Sequence, residues 1–247
     1  FCVKTRSGSN LEIYAAESKG LEAIIETESL RVPTPQYYGY MEDHCFFILE
    51  YIELFTHNVK SMKALGLGLA KMHHTEGPTD FGFDVDNTIG GSPQENQWTE
   101  SWIEFYKTHR LKPMFKFIQD KYGDTEILQK GHLLLKRLDA YFEGIEVKPS
   151  LLHGDFWSGN TAADSEGNPV VFDPAAYYGH HEADLSMTTM FGGFTPDFYE
   201  AYHSVIPMED GFIERQQVYQ LYHYLNHYLL FGAGYRSTCI AILDGLI

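Results

Sequence analysis
The chain has 247 residues, 44% of them hydrophobic, and a formal charge of −16 at neutral pH. It is long enough to bury a sizeable core in one bilobal unit or two small domains. The excess of acid excludes nucleic acid and anionic membrane as favoured partners, because both reward basic surfaces, and it suits a cationic substrate and plain solubility equally.

In chain order, Phe1-Cys2-Val3-Lys4 reads as a strand ending in a lysine, followed by a polar turn, Ser7-Gly8-Ser9-Asn10. An amphipathic helix comes next, with Leu21, Ile24 and Ile25 at helical spacing and Glu17 and Glu22 as its acids. Phe46 to Ile52 is an apolar strand running into a polar segment. Gly66-Leu67-Gly68-Leu69-Ala70 resembles a nucleotide loop, but Met62, Leu65, Leu69 and Met72 recur through it at helical spacing, so a packed helix is expected. Residues 82–97, rich in Asp, Asn, Gly and Pro, predict a surface loop near a cleft, and Trp98 to Leu111 predicts an amphipathic helix. His223 and His227 stand four apart without a third metal ligand and are expected to pack within a C-terminal helix; His73, His74, His180 and His181 likewise lack metal spacing. No run of about 18 apolar residues is present. Cys2, Cys45 and Cys239 are scattered, with no C-x-x-C, so neither a disulfide framework nor a zinc site is indicated, and a reducing cytoplasm is the simplest location.

The segment Leu151-Leu152-His153-Gly154-Asp155-Phe156-Trp157-Ser158-Gly159-Asn160, then Val170-Val171-Phe172-Asp173-Pro174, carries the chemistry. Asp155, Asn160 and Asp173 follow the order and spacing of a kinase catalytic loop and its metal-binding Asp. Phosphoryl transfer needs a hydroxyl oriented, its proton accepted, and Mg²⁺ held against the phosphate charge. Asp155 suits the proton, and Asn160 and Asp173 suit the metal, which favours a few hard oxygen ligands. The apolar runs at 151–152 and 170–172, with the turn Asp164 to Pro169 between them, predict one hairpin of two short strands. Asp, Asn and Gly are also the commonest turn formers; each piece alone reads as a turn, and the two in this order read as a phosphoryl-transfer site. Lys4 with Glu17, or its rival Glu22, then matches the pair that positions the α and β phosphates of ATP. Such charges are as often merely solvated. Glu50, Tyr51 and Ile52 fall where the backbone of an interlobe hinge meets the adenine edge, a pattern that a plain core strand shares.

Val3-Lys4, Ala16-Glu17, Leu49-Glu50-Tyr51, Leu65-Gly66 with Leu69-Ala70 and His73, the segment from His153 to Asn160, and Asp173-Pro174-Ala175 together resemble the fructosamine (ketosamine) kinase family. This family is related to the aminoglycoside phosphotransferases and choline kinases. His-Gly-Asp with its Asn is common to all of these. The inserted Trp157-Ser158-Gly159, the tract Asp86-Asn87-Thr88-Ile89-Gly90-Gly91-Ser92-Pro93-Gln94 with Asn96 and Trp98, and Tyr177 to Leu185 with Phe191-Gly192-Gly193-Phe194 are the specific parts. The family usually has Leu where Phe156 stands, and often Arg in place of His181, which loses a permanent charge.

The resemblance implies an α+β, protein-kinase-like bilobal fold, with an N-terminal lobe at residues 1–52 and a mainly helical lobe at 53–247. It implies ATP and Mg²⁺ as cofactors. The acceptor implied is a ketosamine, a free or protein-bound glycated amine phosphorylated at its C3 hydroxyl, with Trp157 and His153 on the acceptor's side. Asp184 is expected to brace the catalytic loop from below. The family also implies strands and a glycine-rich loop before Lys4; the chain opens at Phe1 without them, and the expectation is that the natural protein carries them. Other phosphotransferase acceptors (aminoglycoside, choline, homoserine) and a non-catalytic binding protein on the same fold remain the alternatives.

Overall fold
The computed structural model describes residues 1–8 and 10–247, so Ser9 of the expected polar turn lies outside the described residues. The small part of the molecule is an antiparallel sheet of β1 (Cys2–Ser7), β2 (Pro35–Met41) and β3 (His44–Leu49) in the order β1-β3-β2, covered by α1 (Glu12–Glu26). β3 alternates as a half-covered strand should, with Cys45, Phe47 and Leu49 buried. Register pairs Lys4 with Phe47. Cross-strand partners share a face, so Lys4 points with Phe47 toward α1. On α1 the buried stripe is Tyr14, Leu21 and Ile24, while Ile25, expected in the core, is 39% exposed; one residue is about 100° of helix, enough to leave the stripe. The strand expected to reach Ile52 stops at Leu49. Glu50 instead turns its carboxylate to the Arg31 guanidinium (3.0 Å) and the Thr34 hydroxyl (3.2 Å).

The larger part is mainly helical. α2 (Val59–His74) starts with a capping box in which the Ser61 N–H donates to Asn58 Oδ1 at 3.0 Å and the Asn58 N–H to Ser61 Oγ at 2.9 Å. Gly66 lets α2 approach the backbone at Phe198 closely. A hairpin of β4 (Asn87–Ile89) and β5 (Ser92–Gln94) follows, then α3 (Trp102–Tyr106), a π-helical turn at 107–111, and α4 (Lys112–Tyr122) with its left-handed C-cap Gly123. After α5 (Thr125–Arg137) come four short strands, β6 (Ser150–Leu152), β7 (Thr161–Ala163), β8 (Pro169–Val171) and β9 (Tyr177–Gly179). The chain closes with α6 (Glu182–Thr188), α7 (Pro196–His203), α8 (Phe212–Phe231) and α9 (Arg236–Leu246). A small β-rich part and a larger helical one make the α+β, bilobal, kinase-like architecture.

Three further expectations are corrected. The runs at 151–152 and 170–172 do not pair with each other: β7 pairs with β8 across the tight Asp164 turn, whereas β6 pairs with β9. The Asp164 carboxylate accepts the N–H groups of Glu166 and Asn168, both at 2.9 Å, so this turn closes on the nearest chain, β7. The helix expected from Trp98 begins at Trp102, where the Ser101 hydroxyl accepts from Glu104 N–H, and a π turn interrupts it. Residues 82–97 are not a plain surface loop. They form the β4–β5 hairpin and bury Gln94 and Asn96 to about 1% or less exposure.

Candidate active site
Asp155 stands on a loop that its neighbours fix from every side. Gly154 has φ +81°, and a Cβ there would meet the Ala175 carbonyl oxygen at 2.0 Å, so only glycine fits. Buried Asp184, at the start of α6, accepts the N–H groups of His153 (2.7 Å) and Gly154 (2.8 Å), and His73 of α2 bonds the same carboxylate at 3.1 Å. Burial opposes the Asp184 charge, but these bonds, that from His73 foremost, hold its pKa below the usual carboxylate range. His153 is 0% exposed. Its Nε2–H donates to the Phe172 carbonyl at 3.0 Å and its Nδ1 accepts the Asp155 N–H at 3.3 Å. The expectation that His153 meets the acceptor is thus corrected: the ring is fully buried and ties the Asp155 loop to the strand that delivers Asp173. The Asn160 amide donates to both the Asp155 carbonyl (2.9 Å) and its Oδ2 (3.1 Å).

A cleft of about 530 Å³ brings together Lys4, Glu17, Asp155, Trp157, Asn160 and Asp173. Lys4 Nζ donates to Glu17 at 2.5 Å and also to Asp173. Glu22 is occupied elsewhere, accepting from Ser18 at 3.0 Å. Burial disfavours the Lys4 charge, but its two carboxylates outweigh this and its pKa is raised. Burial also raises that of Glu17. Asp173 has φ +58°, a strained left-handed conformation for a non-glycine residue, of the kind that concentrates at functional sites. Its side chain is 50% exposed. With the Asn160 NH₂ committed to Asp155, the atoms these two residues offer a cation are carboxylate and amide oxygens in one cavity, a donor set that fits Mg²⁺. Glu50, Tyr51 and Ile52 do not line this cleft; the Glu50 N–H donates to the Thr34 carbonyl at 2.9 Å and Tyr51 is 66% exposed.

Burial pushes the Asp155 carboxyl up to about 7, with repulsion from Asp184 and Asp173 adding to it and the Asn160 hydrogen bond opposing it. A base of that strength is matched to neutral pH. Asp155 and Trp157 also line a second cavity of about 380 Å³, walled largely by apolar and aromatic groups of α8 and its neighbours, including Phe191 and Phe231. The Trp157 ring folds over Gly159, where a Cβ would lie 2.3 Å from it, and meets Phe191 edge-on. The inserted Trp-Ser-Gly therefore shapes a wall shared by both cavities.

Several site-building residues had no role legible in the sequence, though Asn87, Gln94 and Asn96 stand in the tract that resembles the family. Asn87 and Gln94 of the hairpin donate to the carbonyls of Ala176 (2.8 Å) and Ala175 (3.2 Å), clamping the segment after Asp173. Arg110, carried inward by the π turn, donates to Asn96 Oδ1 at 2.7 Å and lies 4.0 Å over the Tyr177 ring. His223 and His227 do sit on a C-terminal helix, but they also line the second cavity.

A paired strand Lys and helix Glu facing an Asp, an Asn and a strained Asp across a bilobal cleft define a phosphotransferase of the protein-kinase-like class. The same fold is seen in a choline kinase from Streptococcus pneumoniae, which aligns with TM-score 0.63 at 14% identity over 99% of this chain and 85% of its own. A crystal structure from Haemophilus somnus 129PT, assigned as a fructosamine-3-kinase, aligns with TM-score 0.90 at 26% identity over 99% of this chain and 83% of its own. The protein-ribulosamine 3-kinase (chloroplastic) of Arabidopsis thaliana is 46% identical over 99% of this chain and 75% of its own length. The ketosamine-3-kinase of Mus musculus is 38% identical over 95% and 83%. The fructosamine kinase family model matches residues 1–247, and the chain belongs to that family.

Proposed function
We propose that the chain transfers a phosphoryl group from ATP to the C3 hydroxyl of a ketosamine, a fructosamine or ribulosamine, as a step in removing sugar from glycated amines. One observation carries this: Asp155 lies where a polar cleft holding Lys4, Glu17, Asn160 and Asp173 meets an aromatic cavity. Bound in the cleft, Mg·ATP supplies the phosphoryl group and the metal charge that stabilises its transfer. Asp155 accepts the proton of the acceptor hydroxyl as that oxygen bonds to phosphorus and the bond to the departing ADP breaks. Asn160 holds the Asp155 carboxylate in place and, with Asp173, supplies oxygen ligands to the metal. Lys4, oriented by Glu17, faces the α and β phosphates; the backbone of Glu50 to Ile52 stays our choice for the adenine edge, at the boundary between lobes 1–52 and 53–247, through the groups left after the Glu50 N–H is taken by Thr34, although these residues do not line the cleft itself. The unpaired cysteines suit a reducing compartment such as the cytoplasm.

Among the residues lining the second cavity, Asp155 is the one carboxylate. An aminoglycoside carries several ammonium groups and wants several acids; a ketosamine carries one. Turnover measured on a panel of fructosamines, ribulosamines, choline, homoserine and an aminoglycoside tests this, with NMR locating the phosphate on C3. Transfer to the others and none to the ketosamines rejects the substrate assignment. Trp157→Ala is expected to raise KM for the ketosamine more than KM for ATP, since aromatic contact with an ammonium contributes about 0.5–2 kcal/mol.

A further inference from the structure
Both candidate metal ligands hang from one short hairpin. Asn160 stands immediately before β7 and Asp173 two residues after β8, and the Asp164 turn joins the two strands. The small part of the molecule grips this hairpin through Arg31, which lies between α1 and β2. The Arg31 carbonyl accepts the Val171 N–H at 2.9 Å. Its guanidinium donates from Nη1 to Asp164 Oδ2 at 2.6 Å and from Nη2 to Glu50 Oε1 at 3.0 Å. The Asp164 side chain is only 2% exposed. Its Oδ1 is filled by the N–H groups of Glu166 and Asn168, while Oδ2 meets the guanidinium and, at 3.3 Å, the Asn168 amide. A carboxylate this buried needs a paired cation, and among the described residues Arg31 is the one it has. Glu50, the other partner, opens the segment chosen above for the adenine edge. One planar fork with fixed donor directions thus joins the place of the base to the hairpin that presents the metal ligands.

We propose that Arg31 is a positioning residue for Mg·ATP: by holding Glu50 and the β7–β8 hairpin in one geometry, it sets the span between the adenine edge and the metal ligands Asn160 and Asp173. This rests on the phosphotransferase reading above and adds to it a residue that lines neither cavity. The two ends of one nucleotide must match that span, and a misplacement of about 1 Å can cost on the order of 10²-fold. The walls of the second cavity, on α8 and its neighbours, are not tied to Arg31, so the acceptor's binding is independent of it.

The test uses the full chain and Arg31→Met, which keeps the aliphatic stem without the charge, and measures KM for ATP, half-saturating Mg²⁺ and KM for a ketosamine, with thermal melts alongside. At a temperature where both proteins are folded, KM for ATP and half-saturating Mg²⁺ are expected to rise about tenfold in the variant, and KM for the acceptor to stay within about twofold. Arg31→Lys, whose ammonium pairs the buried Asp164 but lacks the fork that also reaches Glu50, is expected to recover the Mg²⁺ requirement and part of the ATP loss. It serves alone if the methionine variant does not fold, with a smaller rise confined to KM for ATP as the expected result. A variant that melts earlier yet keeps the wild-type ATP and Mg²⁺ requirements shows a structural tie only and overturns the proposal, as does a loss that falls equally on the acceptor. A wild type that phosphorylates no ketosamine fails the substrate reading alone; the proposal then stands or falls on the same tenfold difference in Mg·ADP affinity, measured by calorimetry, and a wild type that binds no Mg·ADP overturns it.

Discussion
Asp155 is held in a setting that costs stability. Its carboxyl, near 3.8 in an unfolded chain, is raised to about 7, so between these values the folded state binds more protons than the unfolded one, and stability falls as pH rises through that window. Asp155→Asn stays neutral throughout. It is expected to abolish turnover by removing the proton acceptor, a loss of about 10²–10⁴-fold, to leave ATP binding largely intact, and to melt later than wild type at pH 8, by roughly 1–3 kcal/mol after allowing for solvent in the cleft. A variant that keeps most of the wild-type kcat removes the base assignment. Wild-type kcat/KM should fall with unit slope below about pH 7 as Asp155 protonates; a flat profile down to pH 5 contradicts the shift. That Asp155, Asn160 and Asp173 share one cleft was legible in the sequence, because phosphoryl-transfer chemistry fixes both residue type and spacing. The role of His153 was not, since only the tertiary fold shows that its two ring nitrogens bond the backbone of Phe172 and Asp155.

Among elements, periodicity identified α2 and α8 but not what their faces meet. Gly66 illustrates this: a Cβ there would lie 2.2 Å from the Phe198 carbonyl oxygen, so α2 and α7 touch nearly backbone to backbone. Gly66→Ala gains about 1 kcal/mol of helix propensity but must push the helices apart, which costs more, so a net loss of about 1–3 kcal/mol is expected. A thermal melt checks it, and an unchanged or raised Tm contradicts the close contact. The β4–β5 hairpin was read as a loop because Asp, Asn, Gly and Pro dominate it. Their purpose is tertiary: Asn87 and Gln94 bond the carbonyls behind Asp173. On α8, residues 223, 226, 227 and 230 share one face at helical spacing and line the second cavity. The histidines on that face were noticed, but Asn226 has no chemical spacing partner and gave no signal.

At the scale of the molecule, the two parts meet through Lys4, which leaves the small sheet and bonds Glu17 beside it and Asp173 opposite. The family resemblance made the bilobal architecture legible; this cross-cleft bond depends on the register of β1 against β3 and on the left-handed turn at Asp173, and neither is written in a local pattern. Asp173→Ala is expected to weaken nucleotide binding in Mg²⁺ as well as the rate, and an unchanged affinity removes it as a metal ligand. The same bond pairs the Asp173 carboxylate with the Lys4 ammonium, which gives metal and nucleotide a positive mutual dependence. Mg²⁺ arriving alone competes with an ammonium for Asp173, whereas phosphates draw that ammonium away and release the carboxylate. By linkage each ligand then strengthens the other by the same factor. Calorimetry should find weak Mg²⁺ binding without nucleotide, several-fold tighter binding with ADP present, and a smaller difference in Lys4→Met; equal affinities in the wild type would show that the lysine does not guard the metal site.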